Sequence, residues 1–160
     1  MSADRTIIDS VQSRLDAANP PDWDMILSEI LAAFDCITGT IHQWDTTSGL
    51  LQLVAQRGIP EAILSRVERI PIGKGMAGLA AERREPVQVC NLQTDESGQA
   101  KPAAKMTEMA GSVAAPMIVD GELVGTIGIA RPDAFEFSQA QIDTLLKLGE
   151  LIGGQLRESS

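Results

Sequence analysis

The sequence RIPIGKGMAGLA, residues 69–80, joins an extended segment to a helix through a glycine-rich turn. Pro71 cannot donate a ladder hydrogen bond, so the extended segment is short or lies at a sheet edge. The glycines at 73, 75 and 78 then form a G-x-G-x-x-G pattern, and an Ala-rich run from Leu79 to Arg83 follows. This pattern predicts a short strand, a tight turn and a short helix in the middle of the chain.

The same glycine pattern occurs where backbone amides at a helix start bind the pyrophosphate of a dinucleotide. That fingerprint needs a hydrophobic strand before it in a parallel βαβ unit and an acidic residue on the second strand. Here Pro71 interrupts the preceding strand, and the segments that follow have the pattern of hairpins. We therefore interpret the glycines as structural, since glycine adopts positive φ and permits close packing.

Both sides of this turn carry local signals of helices and antiparallel strands. Asp22 predicts the N-cap of a second helix, after a short amphipathic first helix, and Asp120-Gly121 predicts a hairpin turn between two strands. Ser138 and Gln141 have capping-box spacing at the start of a long last helix. The order of two helices, a hairpin, an irregular middle, a second hairpin and a helix predicts an α+β fold with an antiparallel sheet.

The ordered combination of these motifs resembles the GAF domain family over about residues 20–157. Besides the glycine turn, it includes SVAAPM at 112–117, GELVGTIGI at 121–129 and FEFS at 135–138 before the last helix. The resemblance implies a GAF-like, profilin-like fold: a six-stranded antiparallel sheet with the terminal helices on one face and a loop-covered pocket on the other. We expect one GAF domain over 1–160, with 1–18 as an N-terminal helix and 20–157 as the core.

Composition excludes several partners. The formal charge of −9 repels nucleic-acid backbones and anionic membrane surfaces, so we expect neither as a partner. No apolar run has the length of a membrane span. Cys36 and Cys90 are too few for a disulfide framework. These features predict a cytoplasmic protein.

One enzymatic branch that the chain resembles reduces free methionine-R-sulfoxide. That resemblance implies one cysteine in the glycine turn, a second in the long loop, and carboxylates on the last strands that hold the substrate. The corresponding places hold Ala77, about Lys105, Ser112, Gly128 and Ala130. Because sulfoxide reduction through a disulfide needs both thiols, we expect no catalytic residues and no enzyme activity. A redox activity based on Cys90 stays an alternative, although we interpret Cys90 as structural.

No cofactor or metal is expected. The Asn-Lys…Phe…Asp-Glu pattern of cyclic-nucleotide-binding GAF domains and a bilin-attaching cysteine are both absent. His42 is the only histidine and has no Cys or His partner at ligand spacing, so we interpret it as structural. Asp95 and Glu96 lie in a polar loop over 91–105 and are interpreted as a solvated tip.

The resemblance also places a set of small or apolar residues around the pocket. We expect this pocket to be uncharged and therefore unsuited to a free amino acid, whose two charges need partners when buried. The expected ligand-binding residues are Ile37, Ile41, Ala77, Cys90, Met106, Met109, Ser112, Ala114, Gly128 and Ala130.

These observations leave three functions open. The first is a non-catalytic sensory or regulatory domain that binds a small apolar or amphipathic molecule and signals to a separate protein. The second is a ligand-free dimerisation or scaffold module, and the third is a redox enzyme of the free methionine-R-sulfoxide reductase type. We also expect a homodimer through the terminal helices, because the last helix is rich in Leu and Ile and carries Gly149 and Gly153 on one face.

Overall fold

The computed structural model describes residues 3–97, 99 and 105–159. The helices, in chain order, are α1 (Ala3–Ala17), α2 (Trp23–Ala33), α3 (Glu61–Val67), α4 (Gly75–Arg83) and α5 (Gln139–Ser159). The strands are β1 (Thr38–Asp45), β2 (Leu50–Arg57), β3 (Arg69–Pro71), β4 (Val87–Val89), β5 (Ser112–Val119) and β6 (Glu122–Ala130). Part of the predicted polar loop 91–105, namely residue 98 and residues 100–104, lies outside the described residues.

The six strands form one sheet in the order β3-β2-β1-β6-β5-β4, and each neighbouring pair is antiparallel. Helices α1, α2 and α5 cover one face, where their apolar residues and those of the strands form the main core. Helix α4 lies against β5 and β6 on the other face. The predicted α+β fold, with a six-stranded antiparallel sheet and the terminal helices on one face, is confirmed.

The local signals in the sequence form the predicted contacts. Asp22 Oδ1 accepts a hydrogen bond from the Met25 amide at 3.1 Å and caps α2. Before α5, the Gln141 amide donates to Ser138 Oγ at 3.2 Å, and the Ser138 amide donates to Gln141 Oε1 at 2.9 Å. This reciprocal pair is a capping box, so α5 begins where the sequence predicts it.

The three glycines of the central turn have structural roles. Gly73 and Gly75 have φ of +88° and +68°, in the left-handed region where a Cβ is strained. A Cβ at Gly78 would lie 2.5 Å from the Pro71 carbonyl oxygen, so β3 and α4 approach closely only without that side chain. The amides of Gly73 and Lys74 donate to Gly78 O and Pro71 O within the turn, and a pyrophosphate would find them occupied.

Two glycines of α5 pack closely against strands of the same chain. A Cβ at Gly149 would lie 3.1 Å from Met117 Cγ, and one at Gly153 would lie 3.1 Å from Val119 Cγ2. These glycines therefore let α5 lie close to β5, and they do not by themselves indicate a second helix. The homodimer stays a prediction.

None of the helices in the described ranges has both the length and the hydropathy needed to cross a bilayer.

Candidate ligand-binding site

A cavity of about 400 Å³ lies on the sheet face opposite the terminal helices. Its floor is formed by the facing residues of three central strands: Thr38 and Thr40 on β1, Ser112 and Ala114 on β5, and Gly128 and Ala130 on β6. Within 4 Å, a Cβ at Gly128 would meet Thr40 Oγ1 at 3.3 Å and the Val113 carbonyl at 3.9 Å. The floor is low because these residues have small side chains.

The walls of the cavity come from α3, β3 and the start of α4. Ile63 and Val67 contribute from α3, Ile70 from β3, and Met76 and Ala77 from the first turn of α4. Apart from the hydroxyls and the two cations described below, this lining is aliphatic. Its chemistry suits an apolar body better than a polar one.

Two cations line the cavity, which differs from the uncharged pocket expected from the sequence. Arg66 is on α3 and Lys74 is the N-cap of α4, and both side chains are exposed. The Arg66 guanidinium makes a weak 3.9 Å hydrogen bond to Met106 Sδ. Within the described ranges, neither cation is in an ion pair and no carboxylate lines the cavity.

His42 lies on the same face of the sheet but is enclosed by protein. Only 1% of it is exposed, and its Nε2–H donates to the Val67 carbonyl at 2.7 Å. Burial lowers the pKa of the imidazole, so its neutral form is favoured. In the part of the chain that the structure describes, Nδ1 has no hydrogen-bond partner, and no cluster of three His, Cys, Asp or Glu side chains has the geometry to hold a metal.

Half of the residues predicted to bind a ligand lie together at the cavity. Ala77, Ser112, Ala114, Gly128 and Ala130 all line it. These five residues come from α4 and from the β5–β6 hairpin, which follows later in the chain. Whether they contact a ligand stays a prediction.

The other five predicted residues do not line the cavity. Ile41 is fully buried in the core on the helix side, and Ile37 is 56% exposed just before β1. Met109 is buried beside Met76, Leu92 and Ala130, which do line the cavity. Met106 is 49% exposed and does not line the cavity, but its Sδ accepts a weak hydrogen bond from Arg66 of the cavity wall. Cys90 is exposed and lies outside the lining.

Neither cysteine is placed to act on a molecule in the cavity. Cys36 is buried among core residues, and burial raises the pKa of its thiol to about 12. Its Sγ–H donates to the Phe34 carbonyl at 3.5 Å. Both cysteines are free thiols, and neither lines the cavity.

A family model for the GAF domain matches residues 24–154. The chain belongs to the GAF domain family. The match covers most of the chain, from the first turn of α2 to near the end of α5. No curated protein sequence matches this GAF domain significantly.

Solved structures with the same fold include a GAF domain of a phosphotransferase, a reductase and a GAF sensor protein. This GAF domain is similar to the GAF domain of a phosphoenolpyruvate-protein phosphotransferase from Coxiella burnetii, with 19% identity, a TM-score of 0.81 and coverage of 99% of this chain and 96% of the other. It is also similar to free methionine-R-sulfoxide reductase from Neisseria meningitidis in complex with its substrate, with 19% identity, a TM-score of 0.78 and coverage of 98% and 89%. A candidate GAF sensor protein from Burkholderia vietnamiensis shares 19% identity, with a TM-score of 0.74 and coverage of 97% and 96%. At these identities the likeness establishes the fold alone.

Sequence reasoning missed the cavity residues on β1 and α3. Because side chains alternate along a strand, Thr38 and Thr40 face the cavity while Ile41 faces the helices. A one-residue error in the alternation assigns every side chain of a strand to the wrong face of the sheet. An apolar residue such as Ile41 suits either the core or an apolar pocket, so the residue type does not reveal the error. Arg66 lies on a short helix that only the fold brings to the pocket, so no local pattern identified it.

Proposed function

We propose that this GAF domain is a non-catalytic sensory or regulatory module that binds a small apolar or amphipathic molecule in the cavity and signals to a separate protein. The observation that carries the proposal is the cavity itself. Its volume of about 400 Å³ falls within the range of small-molecule sites, and its walls are mostly aliphatic. A second pocket of about 380 Å³ is lined by charged and polar residues such as Asp45, Glu122 and Arg157, so the aliphatic lining distinguishes the candidate site more than its size does.

The same observation favours ligand binding over a ligand-free scaffold. In a scaffold domain we expect large side chains to fill the space between the sheet and helices α3 and α4. Here Gly128 and Ala114 leave that space open, although larger aliphatic residues are common in strands. The small side chains on the cavity floor therefore favour the ligand-binding function over the scaffold function.

The placement of the thiols argues against the sulfoxide reductase alternative. A thiolate must reach the substrate sulfur before a second thiol resolves the intermediate. Ala77 lines the cavity where the reductase resemblance implies a cysteine, and Cys36 and Cys90 lie outside it. Purified protein with a thiol reductant should therefore not reduce free methionine-R-sulfoxide above background. Turnover that Cys90→Ser abolishes would contradict this part of the proposal.

Binding can be tested with N-phenyl-1-naphthylamine, an uncharged probe whose fluorescence rises in apolar sites. We expect saturable binding to the wild-type protein. Ala77→Phe places a ring in the cavity and should weaken binding by about tenfold or more, a change of about 1.4 kcal/mol. Ala62→Phe is the matched control, because Ala62 is exposed on α3 and does not line the cavity. Absence of binding, or equal weakening by both variants, would overturn the proposal.

A further inference from the structure

The two cations at the cavity are unusual for this protein. The chain has 22 acidic and 13 basic residues, yet the charged residues that line the cavity are Arg66 and Lys74. Exposed charges more than about 8 Å apart are largely screened at physiological salt, so the local potential depends mainly on nearby groups. The charges on the cavity lining are both positive and favour an anion, although the Glu82 carboxylate lies beside Gly73, next to Lys74.

The start of α4 adds partial positive charge at the same place. Lys74 is the N-cap in an extended conformation, and it makes no side-chain capping hydrogen bond. The first helical hydrogen bond joins the Gly78 amide to Lys74 O at 3.2 Å. The amides of Gly75, Met76 and Ala77 precede that bond, and all three residues line the cavity. Uncapped amides at a helix N-terminus attract anions through their hydrogen atoms and the helix dipole.

The rest of the lining limits the ligand to one charged end. Ile63, Val67 and Ile70 are aliphatic, and a second charge among them would lack a partner. A ligand ammonium group would also face two cations and, within the described residues, no carboxylate on the cavity wall. Zwitterions and cations are therefore disfavoured.

We infer that the ligand is an apolar molecule with a single anionic end group, which binds Arg66, Lys74 and the N-terminal amides of α4 while its body fills the cavity. This inference rests on the proposed function and specifies the chemistry of the ligand. A carboxylate and a phosphate monoester share the required chemistry, and the experiment below distinguishes them.

The test uses four ligands with the same ten-carbon chain and different ends. Decanoate, decyl phosphate, decanol and decylamine each displace N-phenyl-1-naphthylamine from the wild-type protein at pH 7.5. Because a charged hydrogen bond adds to the shared apolar contacts, decanoate or decyl phosphate should displace the probe at a concentration about tenfold below that of decanol. Decylammonium should be the weakest. The stronger of the two anions identifies the end group.

Arg66→Gln with Lys74→Gln removes both cations and retains polar side chains. In this variant the advantage of the anion over decanol should fall to about threefold or less, since only the helix amides remain. Arg69→Gln with Lys147→Gln is the control: it makes the same change in net charge at exposed residues that do not line the cavity. The control should keep the full advantage.

The two proposals fail in different ways. If the probe does not bind the wild-type protein, the proposed function fails. If the probe binds and decanol displaces it as well as the anions do, the ligand-binding function stands. The inference that the ligand has an anionic end group is then wrong. An equal loss of the anion advantage in both double variants would also overturn the assignment to Arg66 and Lys74, because it would indicate net charge alone.

Discussion

Gly128 on β6 lies opposite Thr40 on β1, and a Cβ added at Gly128 would stand 3.3 Å from Thr40 Oγ1. Both residues line the cavity, so the absent side chain contributes directly to its depth. The Gly128 backbone does not have a positive φ, and a larger residue is therefore allowed there without backbone strain. A larger residue at position 128 would therefore take up part of the cavity volume.

Gly128→Leu should fill the cavity and preserve the fold. A Cβ at position 128 would contact Thr40 Oγ1 most closely, so this hydroxyl must move by a few tenths of an ångström. A side-chain rotation of Thr40 allows that shift. We expect binding of N-phenyl-1-naphthylamine to weaken by about tenfold, or 1.4 kcal/mol. Gly154→Leu is the control, because a Cβ at Gly154 meets nothing within 4 Å. Unchanged probe binding in Gly128→Leu would contradict the location of the site.

The glycines of α5 should respond differently to alanine. Gly154→Ala should raise the free energy of unfolding by up to about 1 kcal/mol, because it removes the helix penalty of glycine without a new contact. At Gly149 and Gly153 the new methyl would press on Met117 and Val119 at 3.1 Å, so the gain should be cancelled or reversed. Urea unfolding of the three variants measures this order. Equal stabilisation by all three would contradict the close packing of α5 on β5.

The elements that could be predicted from the sequence depend on contacts between near neighbours. The Asp22 cap, the capping box of Ser138 and Gln141, and the turn at Asp120-Gly121 each involve residues within a few positions of one another. Their side chains find the same partners in any fold that contains the element. The arrangement of helices and hairpins could therefore be predicted.

The cavity could be predicted only in part, because it depends on strand parity and on distant segments. Of the residues expected at the pocket, Gly128 and Ala130 line the cavity, whereas Ile41 lies on the opposite face of the sheet. Thr38 and Thr40 reach the cavity because they pair with Ala130 and Gly128 of β6, a strand far from β1 in sequence. Arg66 reaches the cavity only because α3 packs over the sheet face.

The two thiols should react at very different rates. Cys90 is exposed, whereas burial keeps Cys36 protonated with a pKa of about 12. Because the thiolate is the nucleophile, the native protein should show one fast thiol toward a disulfide reagent such as dithionitrobenzoate. Cys90→Ser should remove the fast phase, and Cys36→Ser should leave it. Two fast thiols in the native protein would contradict the burial of Cys36.

We propose that the protein forms a homodimer through its terminal helices. Ile8 on α1 and Ile142, Leu146 and Leu151 on α5 are only partly buried within the chain. Light scattering at micromolar concentration should give about twice the single-chain mass of 17.1 kDa. Leu146→Glu should lower that mass, and Lys147→Glu is the exposed control. A wild-type mass near 17.1 kDa would rule out the dimer.

Deletion of the first helix is a poorer test of the dimer than these point variants. Ile7, Val11 and Leu15 of α1 are buried in the main core of the same chain. Their removal would expose apolar core surface, which itself promotes association. Leu146 is only partly buried at the edge of that core, so its substitution removes less core surface than the deletion does.

The stability of the protein should fall as the pH decreases below about 6.5, the ordinary pKa of histidine. Burial lowers the pKa of His42 in the folded state, so the unfolded chain binds a proton in this range before the folded chain does. Stability is therefore complete above pH 6.5 and declines toward the folded pKa, by at most about 1.4 kcal/mol per pH unit for one proton. The lowered pKa values of Asp45 and Asp133 act at lower pH, below their unfolded values near 4.

His42→Gln separates this contribution from the others, because glutamine does not titrate and retains an N–H donor for the Val67 carbonyl. Since His42 is the only histidine, no other imidazole contributes to the window. Urea unfolding between pH 7.5 and 5 should show a declining free energy of unfolding for the wild-type protein and a flatter profile for the variant. Parallel profiles would mean that His42 has the same pKa in the folded and unfolded states. The prediction that the folded protein keeps this imidazole enclosed and neutral would then be wrong.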